Sequence, residues 1–343
     1  MIKAESAEAN RKKIRFAEVW KGIKRIKVGP FLALVILCIA LSMLSPAFRT
    51  WDNAQNILLQ TSIIAIIAIG QTFVIMTGGI DLSVGSIVGL VGVLTAGMMS
   101  TDPSVGGLGM DPWLASLFGI SVGAFIGYMN GLAIAKGGMP PFIVTLGTMG
   151  IARGLAYVYT QGMTISNLPD SFTSIAVSKF LGVSMLVWIM IVIFILSWLL
   201  LTKTRFGIYV LSTGGNETAT LMSGVRVDRV KIAVYTLCGL LSGIAGVLLT
   251  SRLQSGIGTN GSGYELDAIA GAVIGGTSLT GGVGTVGGTL VGVLIMSCVR
   301  SGLTLLNINL FWHQVVIGLI IIVAVYLDVM RRKYANHRKT KHD

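Results

Sequence analysis

The chain has 343 residues, 53% hydrophobic and 12% charged, with a mean hydropathy of +0.80. An ordinary soluble domain carries about 25% charged residues, so there is too little polar surface here for a water-soluble fold, and the sequence reads as an all-α membrane protein. The net charge of +12 does not indicate nucleic acid: nine of the 26 Lys and Arg fall in 1–29, five in 203–231 and six in 331–343, the clustering that marks cytoplasmic segments of membrane proteins.

The chain opens with the basic segment 1–29, too long and too poor in a small-residue cleavage site for a signal peptide. The apolar run behind it is therefore read as the first span. A transmembrane domain is expected over 30–330, a polytopic bundle of about ten helices with glycine-rich breaks. Its spans are placed at roughly 30–47, 57–76, 82–100, 113–135, 142–160, 181–202, 231–251, 263–276, 283–305 and 311–330. Ten crossings put both basic termini on one side, and the loop 203–230 falls there too. Parity and charge thus agree on a cytoplasmic N-terminus, loop and tail 331–343. The connections near 101–112 and 161–180 fall outside.

The second and third spans are interrupted by Thr77-Gly-Gly-Ile-Asp-Leu-Ser-Val-Gly85, the eighth and ninth by Gly275-Gly-Thr-Ser-Leu-Thr-Gly-Gly282. Aligned on their paired glycines, both read G-G-x-[D/S]-L-[S/T]-x-G, which is either an internal repeat or one local device used twice. Paired breaks of this kind point to a substrate path, where unwound backbone lines a cavity; the other reading, stronger for 275–282, is a tight hairpin turn. Asp81 is either a cap for the third span or a substrate contact. Gln71, Thr72, Thr77 and Ser83 surround it with neutral hydrogen-bonding groups that suit a polyhydroxylated solute, and Gly78 and Gly79 supply the break. Arg153, Glu265, Asp267 and Arg300 are further ionisable groups within spans, where charge is expensive and functional by default. Glu265 and Asp267 are expected near the outer mouth of the short eighth span, at the surface or facing the solute.

Gly119, Gly123, Gly127 and Gly131 recur every four residues in the fourth span, as do Gly284, Gly288 and Gly292 in the ninth. Small residues at this spacing let helix backbones approach closely, within one subunit or between two. Cys38, Cys238 and Cys298 lie singly in apolar runs and read as buried small hydrophobes. Gly282-Val-Gly-Thr-Val-Gly287 matches G-x-G-x-x-G but opens a membrane helix and lacks the strand a dinucleotide site needs. There is no Gly-Lys dipeptide, hence no P-loop, and no metal-binding H-E-x-x-H. No cofactor or metal site is expected on this chain.

The loop 203–230 is the most informative segment. Asn216 is placed to cap a short helix, Glu217–Met222, which Gly224 ends. Such a helix is too short to be stable alone in water and must dock on the bundle or on a partner.

At this point the sequence resembles a known family. Ile69–Ser86, Gly214–Ala219 with Ser223–Val225, Gly263–Ala270 and Val273–Gly282 resemble the permease subunits of bacterial ABC importers for monosaccharides, the ribose/xylose/galactose type, and the likeness runs from about 31 to 330. The resemblance implies a type II ABC importer fold. It makes the loop residues Gly214, Gly215, Asn216, Glu217, Thr218, Ala219, Leu221, Met222, Ser223 and Gly224 the coupling element that docks on an ATPase. It implies two permease protomers, expected as a homodimer, with ATP and Mg bound by a separate ATPase subunit. A periplasmic or lipid-anchored sugar-binding protein would deliver the solute, a ribose-like pentose, across the bacterial cytoplasmic membrane. A proton-coupled secondary transporter using Asp81 or Glu265, and a membrane-embedded enzyme, are the rival readings.

Overall fold

The computed structural model describes residues 28–103 and 107–339. Most of the expected basic N-terminal segment, and the last four residues of the tail, lie outside them. Each of the ten expected spans is a helix: α1 (Val28–Leu44), α2 (Trp51–Met76), α3 (Val84–Met99), α4 (Pro112–Ala135), α5 (Pro141–Thr160), α7 (Met185–Lys203), α10 (Val227–Leu253), α11 (Tyr264–Ile274), α12 (Val286–Leu305) and α13 (Leu310–Lys339). Among the described residues three short α-helices lie between them, α6 (Asp170–Val177), α8 (Arg205–Gly215) and α9 (Glu217–Met222), together with one 3-10 turn, Pro46–Arg49. Among the described residues, six helices are long and apolar enough to cross a membrane, and three shorter apolar stretches accompany them.

The boundaries differ from expectation where polar chemistry intervenes. α2 begins six residues earlier than expected because the Thr50 side chain accepts the Asn53 N–H and caps it. The sixth span starts at Met185, not near 181, because Lys179–Phe180 and Val183–Ser184 form a two-stranded hairpin that Ser184 then caps into α7. α11 is only 11 residues long.

α2 is the axis of the bundle: Ile63 to Met76 are buried without exception, and apart from Gln71 and Thr72 that stretch is apolar all round. α7, α10, α11 and α12 surround it. The glycine seams prove to be internal. A Cβ at Gly123 would lie 2.7 Å from Gly239 O and 3.0 Å from Gly243 Cα, and one at Gly127 would lie 3.0 Å from Gly239 Cα. The fourth-span seam therefore zips α4 to α10. On α12, Gly288 and Gly292 face Gly275 and Gly271 in the same manner. Of the cysteines, Cys238 and Cys298 are buried and Cys38 is half-buried.

Candidate functional site

The site is built around the first break. α2 ends at Thr77, whose hydroxyl donates to Val74 O at 2.7 Å, and Gly78 turns the chain with φ +82°, a conformation that favours glycine. Gly79 admits the Tyr235 hydroxyl from α10, which would overlap any Cβ there. Asp81 is wholly buried. Its Oδ1 accepts the Ser83 N–H at 2.8 Å and the Ser83 hydroxyl at 2.6 Å, so it holds the turn into α3. Ser83 Oγ in turn accepts from Asn130 Nδ2 at 3.0 Å, and Asn130 Oδ1 accepts from Thr148 Oγ1 at 2.6 Å. A polar chain thus runs from the break through α4 to α5. With its amide oxygen turned toward the Asp81 N–H, Gln71 accepts that proton at 3.1 Å and donates to Asp81 O at 3.2 Å. One side chain then satisfies both backbone groups that the unwound residue leaves free. Thr72 hydrogen-bonds Thr289 at 2.6 Å and ties α2 to α12. Gln71, Thr72, Thr77, Gly79, Asp81 and Ser83 are all buried, with Gly78 exposed, and within a single chain they brace the break.

Glu265 and Asp267 lie deeper than the outer mouth expected for them. The segment 254–263 does not stay at the surface: positions for a Cβ at Gly256, Gly89 and Gly85 meet, in order, Ala96, the Gly258 and Asn260 carbonyls, and Gly261 with Glu265. The loop therefore descends beside α3 from Ala96 to Gly85, roughly 16 Å at helical rise. Irregular backbone at that depth is tolerated only when buried in protein and satisfied. Arg153 of α5 does this, its Nη1 donating to Gly258 O at 2.6 Å and Asn260 O at 2.9 Å. Glu265 reaches the first turn of α3 at Gly85 and lies within electrostatic range of Arg153. Asp267 turns away, fully buried, and pairs with Arg300 of α12 at 2.7 Å.

The second break is a closed turn. The Ser278 N–H donates to Val283 O at 2.9 Å, and Gly276, Gly281 and Gly282 hold φ of +91°, +84° and +73°. It packs directly on the first break: the Gly282 N–H donates to Met76 O at 2.9 Å.

In the loop 203–230 the expected short helix Glu217–Met222 forms, and an additional helix, α8, precedes it. Thr204 caps α8, Asn216 Oδ1 accepts the Ala219 N–H at 2.9 Å to cap α9, and Gly224 ends it at φ +83°. Gly215 through Ala219 and Leu221 through Gly224 are exposed, and Gly214 is half-buried. Leu221 is 60% and Met222 83% exposed on α9, and Ile208 is 65% exposed on α8, which leaves apolar side chains uncovered on both short helices of the basic loop. Glu217 pairs with Lys231 at 2.6 Å and fixes α9 to the start of α10. Asn130, Thr148 and Tyr235 were not legible as site residues: each is a lone polar group in an apolar run, and only the fold brings them to the break.

The sequence model of the family described as "Branched-chain amino acid transport system / permease component" matches residues 53–325. The chain is 47% identical over 336 residues to the ribose import permease protein RbsC of Bacillus subtilis (strain 168), covering 97% of this chain and all of that one. It is 43% identical to the ribose import permease protein RbsC of Escherichia coli (strain K12), with 87% and 92% covered. It is 35% identical to the L-arabinose transport system permease protein AraH of the same strain, with 97% and 98% covered. No solved structure matches the chain. A multi-pass helical bundle matched along most of its length by one family places the chain plainly: it belongs to the family of transport-system permease components.

Proposed function

We propose that this chain is the membrane-spanning subunit of an ATP-driven importer for a ribose-like pentose in the bacterial cytoplasmic membrane, with both termini cytoplasmic. The observation that carries the reading is full-length similarity at 47% to a ribose import permease, greater than the 35% to an arabinose permease of matching coverage. That similarity favours a sugar over the amino acids named in the family's description. The buried charges support the same direction. Asp267 is paired with Arg300 and Asp81 is held in a turn, which engages both carboxylates within the chain. ATP and Mg belong to a separate ATPase, which docks on the exposed side chains of α8 and α9. A second copy of the permease completes the path, and a binding protein delivers the sugar from outside. Uptake of labelled ribose by cells deleted for this chain, with and without the restored gene, tests the substrate. Uptake restored and competed by unlabelled ribose far better than by arabinose or leucine supports it; equal competition by leucine overturns the sugar assignment.

A further inference from the structure

Three backbone segments far apart in sequence meet at one point without side chains between them. Met76 and Gly78 end α2 at the first break. Gly281 and Gly282 belong to the second break. Gly214 lies in the last turn of α8, one of the two helices assigned above to the ATPase. A Cβ at Gly281 would lie 2.8 Å from Gly214 O, 2.9 Å from Gly214 Cα and 3.0 Å from Gly78 N. A Cβ at Gly214 would overlap Met76 O and lie 2.6 Å from Gly282 N. The hydrogen bond from Gly282 N to Met76 O, at 2.9 Å, closes the third side. Contacts between side chains can yield by rotamer changes; contacts between backbones cannot, and packed interfaces transmit displacement because they are not continuously deformable.

We infer that Gly214, Gly281 and Gly282 are positioning residues of the transport cycle: they join the cytoplasmic helices α8–α9 to both membrane breaks as one rigid unit, so a displacement imposed on α8 reaches both breaks together. The inference rests on the proposal that an ATPase drives this chain through α8 and α9. It explains why glycine stands at Gly214, a helical position where every other residue except proline has higher helix propensity: the position lacks room for a side chain. It also accounts for the exposed α9, which can be gripped by a partner while its neighbour Gly214 is seated in the bundle.

The test is coupling in proteoliposomes that hold the permease with its ATPase and binding protein, comparing Gly214→Ala with Gly287→Ala. Gly287 begins α12 nearby, and a Cβ there meets nothing within 4 Å. Gly214→Ala should co-purify with the ATPase at the wild-type ratio, since α9 is untouched. Its sugar uptake per ATP hydrolysed should fall by roughly tenfold, within the range that substitutions along coupled elements produce. Gly287→Ala should match the wild type. Gly281→Ala gives the same readout if Gly214→Ala does not accumulate: its Cβ meets Gly214 O at 2.8 Å, Gly214 Cα at 2.9 Å and Gly78 N at 3.0 Å, backbone contacts at the same junction that are less severe than the overlap at Gly214. Wild-type uptake per ATP in either variant overturns the inference. Failure of the wild-type chain to couple to any ATPase instead removes the functional reading beneath it, and the two failures are separated by the wild-type control.

Discussion

Replacing Gly127 by Ala adds one methyl group to the close seam between α4 and α10. The new Cβ would lie 3.0 Å from Gly239 Cα and 3.1 Å from Gly239 N, and it would overlap Tyr235 O. Carbon atoms sit best at about 3.5–4.0 Å, so α4 and α10 must part by roughly 0.5–1 Å, a gap that forfeits a quarter to a half of the dispersion energy between facing atoms. None of the three obstructing atoms belongs to a side chain that can rotate aside. Overpacking of this kind costs about 1–3 kcal/mol, against which the better helix propensity of Ala returns up to about 1 kcal/mol. The expected net loss is about 1–2 kcal/mol, read as a lower midpoint of thermal unfolding for the detergent-purified protein. Gly154→Ala is the control. It lies on α5 with nothing within 4 Å of its Cβ, so only the propensity gain applies and its midpoint should hold or rise. Equal midpoints for Gly127→Ala and the wild type would refute the claim that this seam sets the packing distance.

Asp267→Asn leaves the Arg300 guanidinium without its carboxylate. Breaking a buried pair on one side costs about 3–5 kcal/mol, softened here because Arg300 keeps 23% side-chain exposure; the double variant Asp267→Asn, Arg300→Met should recover part of the loss in a thermal-shift assay. Gln71→Leu strands the Asp81 N–H and C=O, each about 1–3 kcal/mol when buried and unpaired, and should reduce folded yield in detergent more than Thr72→Val does. Asp81→Asn keeps an oxygen to accept the Ser83 N–H and should stay within about 1 kcal/mol of the wild type; full transport by this variant would show that Asp81 holds the turn and needs no charge. Met222→Asp changes a residue 83% exposed, so the unfolding midpoint should not move while ATPase co-purification is lost.

The sequence carried the ten spans because hydropathy and the cost of bare backbone in lipid constrain membrane helices more than anything else. It carried Asn216 and Gly224 for a local reason: capping and left-handed turns are decided by the residues themselves. Glu265 shows where such reasoning stops. Its span was short, and a short span with acidic residues at its start reads as a surface mouth. Only the packing of Gly85, Gly89 and Gly256 against 254–263 reveals that the loop itself descends into the bundle. The two glycine breaks were visible as a pattern, but their contact with each other and with Gly214 was not, since a glycine's lack of a side chain says that something approaches and not what. Asn130 and Thr148 were silent for the same reason that Gln71 was not: no break in helical pattern lies beside them.

The central claim is that this chain moves sugar because a separate ATPase moves it. Proteoliposomes containing the permease, the ATPase and the binding protein, loaded with ATP and Mg and given labelled ribose outside, test that most directly. The account predicts accumulation that requires internal ATP, requires both partners, and persists when a protonophore collapses any proton gradient. Ribose accumulation by the permease alone, driven by an imposed proton gradient and abolished by the protonophore, would contradict it.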